Sequence, residues 1–310
     1  MNFYLIPGDN EEPISCLATS PDGSHCLAGT SQGSLFRYDL DLSPLEPLAL
    51  PRRYSALGGL AFTGTTGQAL ALARNADGSG DILLVHPEGG VELLYADAPH
   101  PLSGLVLSVD GSMGLMCAGG VLLRYYPEEK SYLPVDTPEE ILLMGAAFLG
   151  SGTAGLVVGG SRMGGFVGRF EPTGEGGKVS LLSVPPLPEL RCVASNAAGQ
   201  LALAGGRDGA LASVDSALTV RPRSGLSARG VHAATFHPTQ PWALLACGPQ
   251  PGSYHGAELI RYEPASEQLA AVYEGPPGAG DFTTVAFVPS GTRAVAGTGW
   301  GQLVELSSES

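Results

Sequence analysis

The stretch His25-Cys-Leu-Ala-Gly29, a turn, and then Leu35-Phe-Arg-Tyr38 sets the pattern for the whole chain. A small apolar strand ends in Gly or Ala, and a second strand closes with an arginine and an aromatic. The unit returns as Gly114-Leu-Met-Cys-Ala118 before Leu122-Leu-Arg-Tyr125, and as Leu244-Leu-Ala-Cys-Gly248 before Leu259-Ile-Arg-Tyr262. Further copies centre on Arg74, Gly159, Gly205 and Gly297. Between Gly29 and Gly297 the copies recur every ~45 residues, the length of one four-stranded blade. That period predicts an all-β chain folded as a seven-bladed β-propeller.

Alternation and turn signals divide this single domain into blades of about 12–53, 54–98, 99–137, 138–187, 188–226, 227–277 and 278–308. In the first blade the strands are predicted at Ile14 to Thr19, His25 to Thr30, Ser34 to Asp39 and, more weakly, Pro47 to Leu50. The last blade runs out after three strands, Phe282 to Phe287, Thr292 to Gly297 and Gln302 to Leu306. Its outer edge would be left open, and an open edge invites aggregation. The extra strand Asn2 to Ile6 is therefore expected to pair there and close the ring.

Composition agrees. Repeat rings grow by adding units, so 310 residues need no second core. The 45 glycines and 25 prolines would break helices but suit a chain of many turns. Only 15% of residues are charged, too few for a disordered chain. The start, Met1-Asn-Phe-Tyr-Leu-Ile-Pro7, lacks the basic residue and apolar run of a secretory signal, and no apolar stretch approaches the ~18 residues of a membrane span. A cytoplasmic location without membrane insertion is expected. The cysteines Cys16, Cys26, Cys117, Cys192 and Cys247 are odd in number and lie in predicted strands without C-x-x-C spacing. They read as buried thiols, with no metal and no cofactor expected.

Three turns carry a family resemblance. Ser20-Pro-Asp-Gly-Ser24, Phe236-His-Pro-Thr-Gln-Pro-Trp242 and Phe287-Val-Pro-Ser-Gly291 resemble the turn between the first two strands of WD-repeat blades. No blade has the Trp-Asp pair; Arg37-Tyr38, Arg124-Tyr125, Arg169-Phe170 and Arg261-Tyr262 stand in its place. The resemblance implies a seven-bladed ring with a binding or scaffolding role. The aromatic of each pair is expected to pack between blades, with the arginine on the other face of the sheet meeting a carboxylate or carbonyl.

Sorting charges by loop gives the main functional clue. Loops joining second and third strands share a face with the connections between blades. That face receives Arg52, Arg53, Arg74, Arg162, Arg207, Arg221, Arg223 and Arg229, mixed with acids such as Glu139, Glu140 and Asp208. The opposite face is acidic, with Asp22, Asp110, Glu128, Glu129, Glu171 and Glu175 among its members. Arginine and aromatics among mixed charge compose a protein-binding surface. The candidate anchors are Arg52, Arg53, Tyr54, Arg74, Arg162, Met163, Arg207, Tyr254, His255 and Trp300. Of these, Arg52 and Trp300 are expected to serve binding without affecting stability. Trp242, entering a strand after Pro241, is assigned to the core.

Chemistry leaves little trace. There is no G-x-S-x-G, no H-E-x-x-H, no P-loop and no dinucleotide-binding glycine pattern. The six histidines are scattered, with His232 near the start of an innermost strand, and the predicted inner strands are nearly uncharged. A net charge of −14 argues against nucleic acid. The expected function is a non-enzymatic scaffold or adaptor, a monomeric propeller within a hetero-complex whose partner is another protein. The alternatives are a propeller enzyme or small-ligand sensor using the central channel, and a structural subunit held through the acidic face at Glu128 and Glu129.

Overall fold

The computed structural model describes residues 2–6, 10–40, 46–64, 66–182, 186–226, 229–249, 256–276 and 280–307. They form seven antiparallel sheets of four strands each. Numbered along the chain, β1 is Asn2–Ile6, and blade one follows as β2 (Ile14–Thr19), β3 (His25–Thr30), β4 (Leu35–Asp39) and β5 (Glu46–Pro47). Blade two is β6 (Ala56–Thr63), β7 (Gln68–Arg74), β8 (Gly80–Val85) and β9 (Val91–Ala98). Blade three is β10 (Ser103–Leu107), β11 (Gly114–Ala118), β12 (Val121–Tyr126) and β13 (Ser131–Pro134). Blade four is β14 (Ile141–Phe148), β15 (Gly155–Ser161), β16 (Gly164–Glu171) and β17 (Lys178–Leu181). Blade five is β18 (Leu190–Ser195), β19 (Leu201–Gly206), β20 (Leu211–Asp215) and β21 (Val220–Arg223). Blade six is β22 (Val231–Phe236), β23 (Ala243–Cys247), β24 (Glu258–Glu263) and β25 (Gln268–Glu274), and β26 (Phe282–Phe287), β27 (Arg293–Thr298) and β28 (Leu303–Ser307) begin blade seven. The weak outer strand expected at Pro47 to Leu50 is instead the two-residue β5, after which the Leu48 N–H still donates to the Leu35 carbonyl at 2.9 Å and the Leu48 and Leu50 side chains pack on the cluster between blades one and two.

Blade seven is completed by β1, which pairs with β28 in the register Asn2↔Ser307 to Ile6↔Leu303. Each inner strand packs against the inner strand of the next blade, and β26 packs against β2, so the ring is closed. Hydroxyls fasten neighbouring inner strands: Thr283 donates to the Ile14 carbonyl at 2.6 Å, Ser15 to the Leu57 carbonyl at 2.7 Å, and Thr19 to the Phe287 carbonyl at 2.6 Å.

The small residues that mark the repeat have a steric cause. Gly29, Gly205 and Gly297 occupy equivalent ladder positions, opposite Cys16, Cys192 and Thr284. A Cβ on them would lie 2.8 Å from the Cβ of Leu57, Val231 and Ile14 respectively, each near the start of the next blade's inner strand. Close packing leaves no room for that atom. In blades two and four the glycine moves to the first strand: Leu72 faces Gly59, and Val158 faces Gly145. Blade three has a large residue at both positions, Leu105 opposite Met116, and blade six a small one at both, Ala233 opposite Ala246.

The arginine-aromatic endings divide as alternation requires. Tyr38, Tyr125, Phe170 and Tyr262 are buried between blades. The arginines meet partners two residues on, on the same face: Arg37 with Asp39 at 3.1 Å, Arg169 with Glu171 at 3.0 Å, Arg261 with Glu263, and Arg124 over the Tyr126 ring at 4.8 Å. Trp242 is buried, with Arg261 stacked 4.5 Å over its ring and Phe287 edge-on at 5.3 Å. The turn Ser20-Pro-Asp-Gly-Ser24 recurs in blade three as Ser108-Val-Asp-Gly-Ser112. In both, one aspartate oxygen accepts from the serine hydroxyls on either side, Ser20 and Ser24 or Ser108 and Ser112, and from the backbone N–H of the second serine.

Candidate functional site

Every inner strand carries a β-bulge near its beginning, where its ladder register skips one residue. The extra residues are Ser15, Gly58, Gly104, Met144, Arg191, His232 and Thr283. A bulge re-aims a side chain that regular pleating would send sideways. All of these except Arg191 line a cavity of about 470 Å³ at the mouth of the central channel, together with Arg74, Pro101, Gly119 and Leu142. On the side of blades two and three the lining is rich in glycine, with Gly58, Gly59, Gly104 and Gly119 beside Arg74. A Cβ at Gly58 would lie 2.5 Å from the Leu102 carbonyl oxygen, and Gly104 holds a φ of +57°.

The opposite side of the mouth is charged. His232 Nε2 is 3.0 Å from Asp281 Oδ2, and this hydrogen bond is the main reason the Asp281 carboxyl titrates below its ordinary range. Glycines make space for the pair, since a Cβ at Gly248 would lie 3.0 Å from Asp281 Oδ1. Beside it, Glu189 joins Arg191 at 3.4 Å and Arg207 at 3.2 Å. Arg191 lies within β18, so that inner strand carries a charge although the inner strands are expected to be nearly uncharged. The general signal was available: it is the second residue of that strand, as His232 is in β22.

The expected anchors separate into different roles. Met163 and Trp300 stand out from the loop-rich face at 92% and 58% exposure, joined by Leu142 at 47%, which the sequence did not single out. Arg53 and Arg74 are exposed on the same face. Arg162 is within 3.7 Å of Glu140, and Arg207 shares Glu189. Tyr54 is a correction: it is buried in the cluster that joins blades one and two, and the Gly33 backbone lies against it. Arg52 is a second correction. It forks onto both oxygens of Asp81, at 2.8 and 2.5 Å, and reaches Asp97 at 2.9 Å. The Asp81 side chain has no solvent exposure, so Arg52 is tied to stability and is not a free anchor. Blade six repeats the device with Arg229 on the nearly buried Glu258. Tyr254 and His255 lie outside the described residues.

On the acidic face Val109 is exposed, and Glu128, Glu129 and Glu175 extend into solvent. Among the described residues no three His, Cys, Asp or Glu side chains gather as a cation site would require, and no helix is long and apolar enough to cross a membrane. All five thiols are free; Cys16, Cys117, Cys192 and Cys247 are each pushed up to about 12, chiefly by burial.

Residues 4–39 match the family described as WD domain, G-beta repeat. That span contains the end of β1 and strands β2 to β4 of the first blade, including the Ser20-Pro-Asp-Gly-Ser24 turn. No curated protein matches the sequence. Among solved structures, the crystal structure of the RRP9 WD40 repeats aligns over 98% of this chain and 97% of its own, with a TM-score of 0.73 and 15% identity. A structure of U3-55K aligns over 99% and 98%, again with a TM-score of 0.73 and 15% identity.

Proposed function

From a WD40-type seven-bladed ring with a WD-repeat match at its first blade, we propose that this protein is a non-enzymatic scaffold or adaptor that binds another protein through its loop-rich face. The observation that carries this reading is the set of exposed apolar side chains on that face, Met163, Trp300 and Leu142, around a concave mouth edged by arginines. Met and Trp among arginines are the side chains from which binding hot spots are built. Most of the arginines there are held in ion pairs. This fixes their geometry and leaves the apolar groups as the main source of affinity. The net charge of −14 disfavours a nucleic acid partner. The protein is read as a single propeller within a cytoplasmic hetero-complex.

The test is affinity purification of the tagged chain from its native host at two salt concentrations, with mass spectrometry of what co-elutes. One protein in stoichiometric amount, reduced by Met163→Ala or Trp300→Ala, is the expected result. Elution of the chain alone at both salt concentrations would overturn the reading.

A further inference from the structure

We infer that the channel mouth receives an acidic side chain from a protein segment, with Arg74 as its counter-charge. This rests on the reading of the loop-rich face as the interface and names the chemistry of what it binds.

The chain has 30 acids against 16 lysines and arginines, so an arginine without a carboxylate is unusual in it. Arg52, Arg162, Arg191, Arg207 and Arg229 on this face all have one. Arg53 and Arg74 have none among the described residues, and of these two only Arg74 lines the cavity. Arg74 is exposed at the end of β7, and it and His232 are the basic side chains of the cavity lining. The carboxylates near the mouth are already committed, Asp281 to His232 and Glu189 to Arg191 and Arg207.

The site is shaped to use that charge. It is concave and partly apolar, so field lines from the guanidinium are focused into it instead of being spread through solvent. The bare backbone of Gly58, Gly104 and Gly119 opens space on the Arg74 side, and about 470 Å³ holds one or two side chains. Leu142 and Met144 supply an apolar wall beside it. The complement is an Asp or Glu adjacent to a large apolar residue in an extended segment. A free phosphate or a nucleic acid would gain nothing from that wall and would meet the chain's net negative field.

The experiment is panning of a phage-displayed library of random 12-residue peptides on the whole protein, followed by affinity measurement on five forms. These are wild type, Arg74→Glu, the milder Arg74→Gln, Leu142→Asp, and Lys130→Glu on the opposite face, with melting curves to confirm folding. The expected peptides carry Asp or Glu beside Leu, Met or Phe. They should bind Arg74→Glu about tenfold or more weakly, weaken with salt, and ignore Lys130→Glu. Enriched peptides without acids that are lost on Leu142→Asp and kept on Arg74→Glu would overturn this inference and leave the face as the interface. Peptides indifferent to every substitution on this face, or no enriched peptide at all, would overturn the inference, and indifference would count against the face as well. Displacement of the bound peptide by inorganic phosphate or a short DNA oligonucleotide at micromolar concentration would replace the acidic segment with a phosphate ligand.

Discussion

Gly297→Ala places one methyl group at the seam where the last blade meets the first. Its Cβ would lie 2.6 Å from Ile14 Cγ2, 2.8 Å from Ile14 Cβ and 3.0 Å from Thr284 Cγ2. These distances are well inside contact, so backbone or side chain must shift, and such overpacking costs about 1–3 kcal/mol. At ~2.1 cal/mol/K per residue, the 310 residues give an unfolding entropy of about 0.65 kcal/mol/K. The melting temperature should therefore fall by about 1.5–5 °C. Ile14→Ala, at a residue 1% exposed, should cost about 2–5 kcal/mol, or about 3–8 °C. In the double variant the lost Cγ2 makes room for the new methyl, so the combined cost should fall short of the sum by about 0.5–3 kcal/mol. Calorimetric melts of the four proteins at one concentration measure this. If Gly297→Ala melts like the wild type, or if the two costs add within about 0.5 kcal/mol, the steric account of ring closure is wrong.

Deleting residues 1–6 should lower the melting temperature and promote concentration-dependent association, because it removes β1 and bares the edge of β28; light scattering checks this. Arg52→Ala should destabilise the fold whereas Arg53→Ala should not, and thermal melts distinguish them. Burial pushes the Asp81 carboxyl up, but its hydrogen bonds with Arg52, the Asp97 N–H and Asn75 outweigh burial and hold it below the ordinary range. Asp110 is lowered to about 2 by the serines of its turn. Depressed carboxyls contribute stability that is complete above their unfolded value, near pH 4, and is lost as pH falls through their folded values. Stability should accordingly decline from about pH 4 toward 2, and Asp81→Asn should flatten part of that slope. The four buried thiols, Cys16, Cys26, Cys117 and Cys247, should resist iodoacetamide at pH 8 in the native protein, and all five cysteines should react in denaturant, read by intact mass. Rapid native labelling of Cys26 or Cys117 would contradict their burial.

The architecture was legible because its packing constraint is written in small residues. Gly29, Gly205 and Gly297 are where the next blade comes closest, and they recur at the blade period for that reason. Where the large and small partners exchange, as at Leu72 and Gly59, the marker moves to the other strand. The anchors read at Arg74 and Gly159 accordingly lie one or two residues past their structural equivalents, Leu72 and Val158. The closing strand could be read from Phe3 to Ile6, which are too apolar for a loose tail.

The site was less legible because its parts are assembled from distant strands. Arg52 looks like a free surface arginine until Asp81, 29 residues on and fully buried, is found beneath it. Tyr54 follows two arginines in a connection, yet its ring fills the seam between two blades. The bulges that aim Ser15, Met144 and His232 at the mouth have no residue signature of their own, since the extra residues of the seven inner strands range from glycine to arginine. Met163 and Trp300, by contrast, could be picked out because glycines flank them in tight turns that offer no sheet face to fill.

The central claim, that a protein partner sits on the loop-rich face, is tested most directly by site-specific photo-crosslinking in the native host. A benzophenone amino acid would be placed at Met163 on that face and, separately, at Val109 on the acidic face, both positions being highly exposed. The account predicts one specific adduct from position 163 and none from position 109. An adduct from position 109 alone would place the partner on the acidic face and contradict it.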